Sequence, residues 1–105
     1  MKVLKGILKE ELANSLQMKR SYDRELARLP KGSLVKKTIK GHQYYYLVVR
    51  EHGRIRFFYK GKVSEQDLEK YKQAKHYRAK YRKNLSEVKK QIRFLRGALR
   101  GKKSV

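Results

Sequence analysis

Residues 33–62 read SLVKKTIKGHQYYYLVVREHGRIRFFYKGK, and the punctuation of that stretch leaves the chain few folds to adopt. Gly41-His42 and His52-Gly53 are turn dipeptides, and the segments beside them are rich in Val, Ile, Tyr and Phe, the composition of strands. Two-residue hairpin loops at these places give a three-stranded antiparallel meander with a defined register. Glu51 then faces Arg54, Val49 faces Arg56, Leu47 faces Phe58 and Tyr45 faces Lys60. On the first hairpin Lys40 faces Gln43, Thr38 faces Tyr45, Lys36 faces Leu47 and Leu34 faces Val49. Side chains alternate between the two surfaces of a strand. One face therefore collects Val35, Ile39, Tyr44, Tyr46, Val48, Ile55, Phe57 and Tyr59, and its apolar character marks it as the core face. The other collects Lys36, Thr38, Lys40, Tyr45, Leu47, Arg54, Arg56, Phe58 and Lys60, cations set around aromatics, the pattern of a nucleic-acid platform.

Helices flank the meander. Residues 2–29 read as a helix stopped by Pro30 and Gly32, because the residue before a proline leaves the α region and glycine suits a reversal. Ser64 is a good N-cap for a second helix over 64–100, with Glu65 and Asp67 placing negative charge in its first turn. Residues 101–105 are expected to fray. In the second helix Tyr71, Ala74, Arg78, Tyr81, Leu85, Val88, Ile92, Leu95 and Leu99 step by threes and fours. Leu8, Leu12, Ser15, Lys19, Tyr22, Leu26 and Leu29 do the same in the first, with Ser15 and Lys19 as weak positions. An amphipathic helix lying on the sheet accounts for part of each pattern but not for its length. At about 1.5 Å per residue the second helix reaches roughly 50 Å, more than a three-stranded sheet covers. The expected fold is α+β, a single domain over 1–105. Its two long helices form an antiparallel, coiled-coil-like hairpin flanking the meander, with the sheet at or near the tip. Counting outward from the turn at equal rise places Arg78 near Leu16, where Asp23 or Glu25 would accept from it. The same count leaves Ile92 to Leu99 running past Met1 without a partner, so a homodimer through the end of the second helix is expected.

The chain of 105 residues is long enough for one small core. It carries 30 Lys and Arg against 9 Asp and Glu, a net charge of +21. Self-repulsion on that scale disfavours a compact monomer and points to a polyanionic partner, nucleic acid before membrane surface. The excess is concentrated after the first helix: net +4 over 1–32, +7 over 33–63 and +10 over 64–105. The densest cations lie around Lys72, Lys75, Lys80, Arg82 and Lys83, with Tyr77 off the seam among Lys70, Lys80 and Lys83. Lys and Tyr at helical spacing suit phosphate contact with an occasional stacked base. A solvated helix face has the same composition. Phe58 has two readings as well. Between Arg56 and Lys60 it can stack on a base, or Leu34, Leu47, Val49 and Phe58 form a second apolar strip covered by a helix or a partner chain.

Catalytic and metal chemistry find no constellation. The chain has no cysteine, which removes disulfides, thiolate catalysis and sulfur-ligated zinc. His42, His52 and His76 are too scattered for a metal box, and two of them fall in the expected turns. No phosphate-binding loop, nucleophile elbow or dinucleotide fingerprint is present, and the acids do not cluster as a metal-dependent nuclease requires. Glu51, the one acid of the meander, has Arg54 as its expected partner. The chain is therefore read as a non-enzyme without cofactor or metal. Lys5, Lys9, Glu10 and Glu11 interrupt any apolar core of a signal peptide, and no run approaches a transmembrane span, so a cytoplasmic location without membrane association is expected.

The motif PKGSL at Pro30 to Leu34, then Gly41, YYYL at Tyr44 to Leu47, Arg50, Gly53 and the Tyr59-x-Gly61 end resembles a prokaryotic family of short helix, β-meander, helix proteins of uncharacterised function. Such proteins are met around mobile-element genes. Many members insert a cysteine-bearing turn between the first two strands, and this chain lacks it, so no metal role carries over. The meander followed by a helix is also similar in architecture to the three-stranded DNA-binding domains of phage-type integrases, which lay a sheet in the major groove. That likeness implies groove-facing roles for Lys36, Lys40, Tyr45, Arg54 and Arg56.

The expected function is non-catalytic nucleic-acid binding, dominated by phosphate contacts from the basic sheet face and the basic helix. Duplex DNA is favoured over structured RNA, because a sheet enters B-DNA's wide major groove and not the narrow one of an A-form helix. The rival is an accessory or inhibitor protein of a mobile element that binds a larger nucleic-acid-processing protein, with Phe58, Leu34 and Leu47 as a protein anchor.

Overall fold

The computed structural model describes residues 2–101. Helix α1 spans Lys2–Arg28, strands β1, β2 and β3 span Ser33–Ile39, His42–Glu51 and Arg54–Gly61, and helix α2 spans Glu65–Arg100. The class is α+β, with an antiparallel helical hairpin and a sheet of order β1-β2-β3. The Asp67 amide donates to Ser64 Oγ at 3.2 Å and the Leu68 amide to the Ser64 carbonyl at 3.0 Å, so Ser64 caps α2 as its side chain predicts. Gly101 follows α2 outside the helix. The rest of the expected frayed tail, 102–105, lies outside the described residues. Among the described residues no helix is long and apolar enough to cross a membrane.

The chain divides into two compact units that share α2. One joins α1 to α2 from Ala79 onward, and the other is Leu29–Arg78. In the helical unit Leu85, Val88, Ile92 and Leu95 are buried at the three-four spacing of the seam. Ser15 on α1 is only 2 % exposed, so the weak heptad position is where a small side chain is enclosed most tightly. The Tyr22 and Tyr81 rings lie 6.0 Å apart, fixing the pairing of the helices. This pairing differs from the count made outward from the turn. Residues Glu65–Arg78 are grouped with the meander, and α2 is grouped with α1 from Ala79 onward. The end of α2 therefore has an internal partner: Ile92 and Leu95 are 6 % and 5 % exposed within the single chain. Within that stretch Phe94, 71 % exposed, is the large apolar side chain that stays open.

In the other unit β2 pairs with both neighbours. Glu51↔Arg54, Val49↔Arg56 and Leu47↔Phe58 stand opposite one another as the His52-Gly53 turn requires. The ladder then shifts between Tyr46 and Tyr45, so that Tyr45 faces Gly61 and Lys60 is the extra residue of a β-bulge. The first turn is Lys40-Gly41, not Gly41-His42. Lys40 (φ 50) and Gly41 (φ 82) both take positive φ, as do His52 (φ 50) and Gly53 (φ 78), the requirement of a type I′ hairpin. Pairing on β1 is accordingly Leu34↔Leu47, Lys36↔Tyr45 and Thr38↔Gln43. That is a slip of two positions, which leaves every side chain on its expected face.

The covered face is the reverse of the expected one. Val49 is 8 % exposed and Leu34 and Leu47 are half-buried, whereas Ile55, Phe57 and Tyr59 are 55 %, 62 % and 61 % exposed. Gly32, at φ +91, lies against this covered strip. A Cβ built on it would sit 2.7 Å from the Val48 carbonyl oxygen and 2.9 Å from Val49 Cγ2. Arg78 of α2 anchors the same segment, its guanidinium donating to the Pro30 carbonyl at 2.6 Å and more weakly to that of Gly32 at 3.5 Å. These carbonyls, rather than Asp23 or Glu25, satisfy the lone cation of the α2 seam. Asp23 pairs with Lys19 at 2.9 Å and Glu25 with Arg28 at 3.3 Å.

Candidate nucleic-acid interface

The uncovered face of the meander is an aromatic surface. Cross-strand pairing places Val35, Tyr46 and Tyr59 in one row and Ser33, Val48 and Phe57 in the next. Tyr59 on edge strand β3 contacts the two β2 tyrosines that share this face. Its ring lies 5.4 Å from Tyr46, edge-on, and 6.2 Å from Tyr44. His42 continues the line 6.3 Å from Tyr44. Tyr44, Tyr46 and Val48, on the central strand between two flanking strands, are half-buried. Lys37 Nζ lies 5.1 Å from the centre of the Tyr46 ring, a cation–π contact, and Arg50 is exposed at the far end of the face. Monomeric proteins rarely leave an apolar surface of this kind open without using it for binding.

The opposite face is less available than the sequence suggests. Lys36, Lys40, Arg54, Arg56 and Lys60 are exposed, but Tyr45 is half-buried. Glu51 pairs with Arg56 at 3.3 Å rather than with Arg54. The Arg56 guanidinium in turn lies 5.5 Å from the Phe58 ring centre. Phe58, 38 % exposed, thus has a cation of its own chain at its π-face. Leu34, Leu47 and Val49 beside it are the covered apolar strip. On α2, Lys72, Lys75, Tyr77, Lys80, Arg82 and Lys83 are all exposed, the first three in the meander's unit and the last three in the helical unit. The His76 and Tyr77 rings contact each other edge-on at 5.6 Å.

The sequence assigns Tyr44, Tyr46, Phe57 and Tyr59 to the core face, and neither they nor Lys37 and Arg50 around them are among its expected binding residues. A signal for them existed. Three tyrosines on one face carry three hydroxyls, each of which needs a partner if buried, and His42, Lys37 and Arg50 share that face. A strip of Leu and Val desolvates at lower cost.

The chain matches a family described as a domain of unknown function, DUF6788, over residues 4–70. That is more than half of its length, and the chain belongs to this family. No curated protein and no solved structure matches it.

Proposed function

We propose that this protein binds nucleic acid without catalysis, and that the open aromatic face of the meander receives unstacked bases of a single-stranded segment. The observation that carries the reading is the row formed by half-buried Tyr44 and Tyr46 and exposed Tyr59, with Lys37 beside it. Every base has a π-face, so an exposed aromatic sheet bordered by cations takes single strands with little regard to sequence. A duplex buries its base faces in the stack and offers nothing to such a surface, which turns the preference from duplex DNA to single-stranded DNA or RNA. The net charge of +21 supplies the attraction to phosphate. Exposed cations of α2 such as Lys72 and Lys75 extend it beyond the sheet.

Anisotropy of a labelled twelve-nucleotide single strand, with its duplex as competitor, tests the reading. Phe57→Ala and Tyr59→Ala remove the two most exposed rings of this face, and each is expected to weaken single-strand binding by about 5- to 150-fold, the equivalent of about 1–3 kcal/mol of stacking. Duplex binding should change much less. Removal of Arg54, Arg56 and Lys60 together should reduce both kinds of binding modestly, through charge. Equal losses from the two sets, or a protein that prefers the duplex, would return the interface to the cationic face.

A further inference from the structure

The helical unit holds a second surface that nucleic-acid binding at the sheet does not use. Between α1 and the latter part of α2 runs a groove of about 1010 Å³. Its floor is apolar: Leu12, Leu16, Ile92 and Leu99 line it, and all but Ile92 are only half-buried. Its walls are cationic, with Lys19 and Arg20 on α1 facing Lys89, Arg93, Arg96 and Arg100 on α2. No carboxylate lines it. Among the described residues only Lys19 of these six has an acid within ion-pair distance, Asp23. The α2 cations recur at steps of four, three and four, so they stand in one line along the helix. From Lys89 to Arg100 that line covers about 16 Å, three helical turns.

We infer that this groove docks an acidic amphipathic helix of a partner protein, which lies between α1 and α2 as a third helix. The floor needs an apolar seam at heptad spacing to cover Leu12, Leu16 and Leu99, and the walls need carboxylates on both flanks of that seam. A phosphate backbone matches the walls and leaves the leucines uncovered, so the apolar floor favours protein. A second copy of this chain fails on charge. Its helix α1 carries four acids, of which Asp23 and Glu25 already pair with Lys19 and Arg28, and the copy brings the same +21 to the contact.

A synthetic peptide of about 18 residues, with Leu at the heptad seam and Glu on both flanks, serves as the probe. A peptide of identical composition with its leucines scattered is the control. Anisotropy in 0.15 M salt is expected to show the seam peptide binding at least tenfold more tightly than the scattered one. Arg93→Glu with Arg96→Glu should abolish that preference, with helix content checked by circular dichroism. Lys72→Glu with Lys75→Glu, equal in charge but in the other unit, should leave it within about twofold. For the unaltered protein, a twelve-nucleotide single strand should leave the seam peptide bound. Equal binding of the two peptides, or binding of neither, overturns the proposal. So does displacement of the peptide by the oligonucleotide, which would make the groove a phosphate site. A groove variant that is folded and still prefers the seam peptide overturns it as well.

Discussion

Gly32 carries two constraints at one position. Its φ of +91 lies where side chains are strained, and its Cα sits so close to β2 that an added methyl would meet the Val48 carbonyl and the Val49 side chain. Gly41, at φ +82 with nothing within 4 Å of a built Cβ, carries the first constraint alone. Gly32→Ala is expected to cost about 1–3 kcal/mol of strain plus a collision that backbone atoms cannot evade. Its melting temperature should fall by roughly 5–20 °C, well beyond the fall for Gly41→Ala. Melts of the two variants followed by circular dichroism check this, and similar losses would mean the close approach to β2 does not matter. At this scale much was legible. Ser64 caps α2, Pro30 and Gly32 end α1, and His52 takes the positive φ expected of a turn residue. Lys40 was missed because lysine carries no turn signature of its own. Yet Lys40-Gly41 and His52-Gly53 share the order that a type I′ turn favours, glycine in the second place. The acceptors of Arg78 were not legible, since the Pro30 and Gly32 carbonyls belong to residues whose side chains say nothing of them.

Elements divide their labour by face, and alternation alone does not say which face is covered. The pattern of the meander sorts its side chains correctly into two sets, and even the slip on β1 preserves them, because a shift of two positions returns each residue to its own side. Both sets contain apolar residues. What decides between them is the segment around Gly32, which lies over Leu47 and Val49, a contact between residues distant in sequence. The helical pairing failed to be read for a related reason. Heptad spacing continues through Tyr71, Ala74 and Arg78, but those positions serve the meander's unit, so the count to α1 began too early. For α2 the consequence is measurable. If Lys72 and Lys75 each hold one phosphate of a single strand, replacing both with Ala should shallow the slope of log K against log salt by about 1.4. Titrations at several salt concentrations give that slope, and an unchanged value would reduce these lysines to a solvated surface.

Over the whole molecule, repulsion among 30 cations opposes folding while no anion is bound. The four ion pairs of the described residues are exposed and lie mostly within single helices, so they offset little of it. Screening should therefore stabilise the fold. Raising sodium chloride from about 0.01 to 0.15 M shortens the Debye length from roughly 30 to 8 Å, and the melting temperature is expected to rise by several degrees. A short single strand at low salt should raise it further, because a ligand bound only by the folded state stabilises that state by mass action. A melting temperature that falls with added salt would show that attraction within the chain, not repulsion, dominates its electrostatics.

The bulge at Lys60 has a consequence for solution behaviour. In a sheet of order β1-β2-β3 two strands lie at edges, and each offers unpaired amides and carbonyls on which another chain could build. Lys36 and Lys37 guard β1 by charge, while β3 is guarded both by Arg54 and Arg56 and by the irregular spacing where Lys60 has no opposite residue. The two edges thus differ in what disarms them. Screening or lysine acetylation strips protection from β1, whereas on β3 the misfit of the backbone persists. Strand-to-strand growth of this protein would therefore begin at β1, and the salt that steadies the fold is also the condition under which that edge becomes adhesive.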